Sequence, residues 1–103
     1  MSDLTRQIIQ LGKQSEADPK DARPRFLRGV FYLMKRHYET AATDFTAAIE
    51  GGFPRALAWR ALAFRGADDI SRAAKDGRDY LQQFPNDFAS EEVKALLKEI
   101  GAN

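Results

Sequence analysis

The chain has 103 residues, with 16 Lys and Arg against 15 Asp and Glu and no cysteine. This length fits one domain that buries roughly two-thirds of the surface its unfolded form exposes. The lack of cysteine excludes disulfides, thiolate catalysis and cysteine-ligated metal sites, and a net charge of +1 argues against strong non-specific nucleic-acid binding.

The first predicted helix spans about Asp3 to Glu16, with Leu4, Ile8 and Leu11 on one stripe, and ends at Asp18-Pro19. A second runs from about Ala22 to Arg36 and a third from about Tyr38 to Glu50, where Gly51-Gly52 supplies left-handed residues. Pro54 suits the first turn of a fourth, which continues to Arg65 and is broken at Gly66. Asp68 or Asp69 caps a fifth that runs to Phe84, ahead of the turn Pro85-Asn86-Asp87. Ser90 is the expected cap of a sixth, whose apolar side carries Val93, Leu96, Leu97 and Ile100. Charge alternates with these segments: residues 20–36 carry +5, 37–54 carry −3, 55–72 carry +2 and 73–103 carry −2.

No apolar run approaches the roughly 18 residues that span a bilayer. The N-terminus MSDLTRQIIQLGK lacks the apolar stretch of a secretory signal, so a cytoplasmic location is expected. The catalytic inventory is poor. His37 is the single histidine and reads as a turn or capping residue, because metal sites need three or four ligands. Asp68-Asp69 reads as a cap, and Asp76, Arg78 and Asp79 as a solvated helix face. Ser15, Ser71 and Ser90 lack a nucleophile signature. No catalytic, metal or cofactor site is assigned.

The informative feature is a repetition. Residues 25–49, RFLRGVFYLMKRHYETAATDFTAAI, are echoed by residues 59–81, WRALAFRGADDISRAAKDGRDYL. Gly29 aligns with Ala63 at a separation of 34, whereas Tyr38, Ala41, Ala42, Asp44 and Ile49 align with Ile70, Ala73, Ala74, Asp76 and Leu81 at 32. On that reading the second copy is two residues shorter near its internal turn. Periods of this size mark stacked helical units, each leaving an apolar face for its neighbour.

The pattern resembles the tetratricopeptide repeat, W-x2-L-G-x2-Y followed by A-x3-F and Pro. One copy supplies Gly29-x2-Tyr32, Ala41-x3-Phe45 and Pro54; the other supplies Trp59-x2-Leu62-Ala63, Ala73 and Pro85. Arg25, Arg28 and Gly77 depart from the pattern. The resemblance implies an all-α hairpin solenoid of right-handed superhelical stacking: a half repeat at 1–19, repeats at 20–53 and 54–87, and a capping helix at 88–103.

In that family the first helix of each repeat lines a concave surface that binds protein segments. The resemblance therefore implies a non-catalytic interaction scaffold whose partner-binding residues are Arg23, Phe26, Val30 and Leu33 on the second helix and Leu57, Arg60 and Phe64 on the fourth. Basic residues at the edges of that apolar stripe would favour an acidic partner. The lysine–asparagine clamp of chaperone-binding members is absent, since Phe26 and Val30 stand at the matching positions. The alternative is an assembly role, with the same stripe closing a homodimer or docking on a larger complex.

Overall fold

The computed structural model describes residues 1–102, in which every regular element is an α-helix. In chain order these are α1 (Asp3–Ala17), α2 (Arg23–Met34), α3 (Tyr38–Glu50), α4 (Ala56–Gly66), α5 (Ile70–Gln83) and α6 (Ser90–Glu99). Local chemistry fixes several of their ends. The Ser2 hydroxyl accepts the Thr5 N–H at 3.2 Å to start α1, and the Asp69 carboxylate accepts the Arg72 N–H at 3.3 Å to start α5. After α3, Gly52 adopts a φ of +95°, and the Phe53 N–H turns back to the Ala48 carbonyl at 3.0 Å.

Two local expectations change. Pro54 and Arg55 form a turn ahead of α4 instead of its first helical turn. Gly66 ends α4 as expected, close against the Tyr38 ring, and the left-handed residue that follows is Asp68, at φ +63°. Ser90 is not a cap. Its hydroxyl accepts the Asp87 N–H and donates to the Phe84 carbonyl, each at 2.7 Å, and so braces the turn before α6.

The hairpins α2–α3 and α4–α5 repeat the same contacts at a uniform separation of 32. Arg28 donates from Nε and a terminal nitrogen to both carboxylate oxygens of Asp44 at 2.8 and 2.7 Å; Arg60 does the same to Asp76 at 2.7 and 2.8 Å. Arg36 and Asp68 both take left-handed backbone angles, φ +61° and +63°. The next residues, His37 and Asp69, donate backbone N–H groups to Tyr32 and Phe64 at 2.9 and 2.8 Å. Gly29 therefore corresponds to Ala61 and not to Ala63, and the second copy loses nothing at its internal turn. Asp76, expected on a solvated face, is buried with its guanidinium partner.

Each helix packs on its neighbours in the chain, and α2 also touches α4, within an envelope of 40 × 27 × 20 Å. One core gathers Ala41, Phe45, Ala48, Ala56 and Ala63; the other gathers Leu57, Ala74, Tyr80, Val93 and Leu97, and Trp59 and Ile49 pack against both. Small residues set the helix spacing. A Cβ on Gly29 would stand 2.7 Å from the fully buried Phe45 ring. In the second copy Gly77 replaces that aromatic, and the space is taken by Leu97, whose Cδ2 would lie 3.0 Å from a Cβ at Gly77. The departure at Gly77 thus lets α6 settle on α5. There α6 buries Val93, Leu96 and Leu97 and exposes Glu91, Glu92, Lys94 and Lys98.

Candidate functional site

The seven residues expected to line one groove are distributed over three places. Arg23 is exposed and held by Asp21, whose carboxylate accepts from its Nε and a terminal nitrogen at 2.9 and 2.8 Å. That side-chain bonding pulls the Asp21 carboxyl down to about 2. Phe26 is half-buried among the rings of Phe53, Trp59 and Phe45, with centroids 4.8, 5.8 and 5.9 Å away. Arg23 and Phe26 share a hollow of about 310 Å³ at the start of α2. Val30 and Leu33 are half-buried against the first core, and Leu57 is buried within the second.

Arg60 and Phe64 belong to a different surface. Arg60 donates to Asp76 and also to the Thr46 hydroxyl at 3.0 Å; bonding to Asp76 raises the pKa of its guanidinium. Two guanidiniums lie over the Phe64 ring, Arg60 at 5.6 Å and Arg72 at 5.7 Å from its centroid. Its ring lines a cleft of about 600 Å³ between α3 and the start of α5, walled by Glu39, Thr43, Thr46 and Glu50 on one side and by Asp69 and Arg72 on the other. The cleft is open, Ala42, Ala47, Ala67 and Phe64 share its lining with the polar side chains, and Arg72 is paired with Asp69 at 3.5 Å.

A strongly apolar hollow lies between α4 and α6. Ala58, Trp59 and Leu62 form one wall of a trough of about 180 Å³; Val93, Leu96, Ala89 and Glu92 form the other, with Phe88 at the rim. Ion pairs tie the two helices together at both ends: Arg55 with Asp87 at 2.8 Å, and Arg65 with Glu99 at 2.7 Å. Because the starts meet and the ends meet, α4 and α6 run parallel. Phe88 is 95% exposed. The chain on either side of it is nonetheless fixed, since the Asp87 carboxylate accepts from Arg55 and from the Tyr80 hydroxyl while Ser90 braces the next turn. Hydrogen bonding to Arg55 keeps the Asp87 carboxyl below its ordinary pKa.

The uniform separation of 32 also relates α4 to α2. Trp59, Leu62 and Gly66 on α4 correspond to Leu27, Val30 and Met34 on α2, and Leu27 and Met34 are 44% and 59% exposed. Sequence reading found Val30 but passed over Leu27, Met34, Leu62 and Phe88. The signal for the first three was the shared Arg-small-x2-aromatic pattern, Arg28-Gly29-x2-Tyr32 and Arg60-Ala61-x2-Phe64, which sets the alignment correctly.

His37 occupies the position before α3 without a side-chain capping bond, and its ring stacks on Tyr32 at 6.0 Å. Among the described residues no group of three or more His, Cys, Asp or Glu is placed to hold a metal ion, and no helix is long and apolar enough to cross a membrane. No family model, curated protein or solved structure matches this chain.

Proposed function

We propose that the protein is a non-catalytic interaction module of tetratricopeptide-like construction that holds a protein segment against the apolar face shared by α2, α4 and α6, and that it works in the cytoplasm. The observation that carries this reading is the uncovered apolar strip itself: Leu27 and Met34 on α2, the trough between α4 and α6, and the exposed ring of Phe88. Large apolar groups that face water in a fixed arrangement, rimmed by charges, mark contact surfaces on small proteins. Arg23, Arg55 and Arg65 are paired with Asp21, Asp87 and Glu99. The partner is held through apolar side chains, as an amphipathic helix is held in a groove.

The test is capture of the partner by the tagged chain and by its Leu27→Glu, Met34→Glu double variant. Leu27 and Met34 are 44% and 59% exposed, so a thermal melt first checks that the variant folds, and a partner retained by the parent is lost by the folded variant. Equal retention by the two proteins would place the contact elsewhere.

A further inference from the structure

We infer that the α4–α6 trough receives an arginine side chain from the segment that the protein holds. The inference rests on the reading of that face as a contact surface and names the chemistry of its occupant. Every residue that lines the trough is apolar except Glu92. Each end is closed by a neutral ion pair, Arg55 with Asp87 and Arg65 with Glu99, so Glu92 leaves the trough with a net negative charge. In the first turn of α6, Glu91 is paired with Lys94 at 3.3 Å, whereas the Glu92 side chain has no partner among the described residues. It stands exposed, with water to satisfy it.

That carboxylate decides what can cover the trough. A segment laid over Trp59, Leu62 and Leu96 strips water from Glu92, and a carboxylate taken out of water without a partner is costly. An acidic or purely apolar cover leaves that cost standing; a cation offsets it. The hollow itself adds two requirements. Its volume of about 180 Å³ has room for one long side chain, and walls of Leu62, Val93 and Leu96 suit an aliphatic stem with a charged tip. Trp59 and Phe88 set aromatic rings beside the same hollow, and aromatic rings attract cations. Arginine meets all three conditions, because its planar guanidinium stacks on rings and donates two parallel hydrogen bonds to a carboxylate.

The chain has a single tryptophan and it lines the trough, so its indole N–H gives an unambiguous signal. NMR titration of the intact chain with N-acetyl-arginine methylamide, up to about 50 mM, covers the millimolar dissociation constant expected of one side chain. The citrulline analogue, which keeps the shape and lacks the charge, is the control. The arginine compound should give saturable shifts at the Trp59 indole and at the Leu62 and Leu96 methyls, and the citrulline compound should bind at least about threefold more weakly. Glu92→Gln should weaken the arginine compound by about three- to fivefold, the range of an ion pair within reach of solvent, and leave the citrulline compound unchanged. Because Glu92 is exposed, the spectrum of that variant away from α6 should match the parent's. No saturable shift at Trp59, equal binding of the two compounds, or a Glu92→Gln protein that takes the arginine compound as tightly as the parent overturns the inference. The Leu27→Glu, Met34→Glu capture does not depend on Glu92. A partner lost there, with any of these negative results here, removes the arginine alone and leaves the interaction module standing.

Discussion

Arg28 and Arg60 stand where an apolar residue would ordinarily pack, and each is accommodated by a buried aspartate sixteen residues further on. Taking these charges out of water is costly, and two hydrogen bonds to each carboxylate offset the cost only while both partners are present. Asp76→Ala strands Arg60 inside the second hairpin. The Arg60 side chain keeps 21% of its exposure, so the loss should sit near the low end of the usual range, about 3 kcal/mol. In a domain of this size that is on the order of 12–24 °C in melting temperature. Changing both groups, Arg60→Met with Asp76→Leu, should restore most of that stability. A single Asp76→Ala change that cost under one degree, as on a solvated face, would contradict the buried pair.

Gly29 makes a second residue-scale case. A methyl at this position meets the Phe45 ring, which is fully buried and has nowhere to move, so Gly29→Leu should cost about 1–3 kcal/mol by overpacking. Thermal melting of that variant beside Gly52→Ala, where the added Cβ meets nothing but the backbone is left-handed, separates crowding from backbone strain. Asp87 gives a pH signature. Its carboxyl pKa is lowered in the folded protein, so the stability it contributes is complete above the unfolded value of 3.8 and declines as pH falls below it. Melting curves from pH 6 to about pH 2 should show Asp87→Asn losing less stability with acid than the parent; parallel curves would remove Asp87 from the bracing of α6.

At the scale of elements, the helix boundaries were legible because prolines, glycines and acidic caps punctuate the chain where the helices end. The alignment between the copies was legible only in part. The alanine-rich α4 offers both Ala61 and Ala63 as matches for Gly29, and apolar spacing alone does not choose between them. The chemistry that does choose, a guanidinium meeting a carboxylate across the hairpin, becomes visible once Arg28–Asp44 and Arg60–Asp76 are seen as equivalent pairs. The error carried into the site: placing Arg60 and Phe64 on the α2 face put a structural arginine and a ring of the α3–α5 cleft among contact residues. Phe88 escaped notice for another reason. It lies in a turn after Pro85-Asn86-Asp87, outside any helical period, and nothing in the local sequence says whether such a ring points in or out. The element that depends most on its neighbours is α6. Removing residues 90–103 should expose Leu57, Ala74 and Gly77, lower the melting temperature and drive aggregation; a truncated chain with the parent's solubility and melting temperature would show that α6 closes nothing.

For the molecule as a whole, the arrangement is one hairpin used twice, with a helix added at each end, and two unlike surfaces result. The α3–α5 cleft is larger and mixes polar with apolar lining, and two guanidiniums already lie over its ring. The face of α2, α4 and α6 is apolar and unfilled. Burial of exposed apolar surface favours association by roughly 25 cal/mol per Å², so the second surface has the greater free energy to gain from a partner. Hydroxyl-radical footprinting of the chain in its native extract, compared with dilute buffer, reads Met34, Phe88 and Phe64 side by side and therefore reports on both faces at once. The account predicts protection of Met34 and Phe88 with Phe64 unchanged. Protection of Phe64 with Met34 and Phe88 still fully reactive would place the contact in the α3–α5 cleft and contradict it.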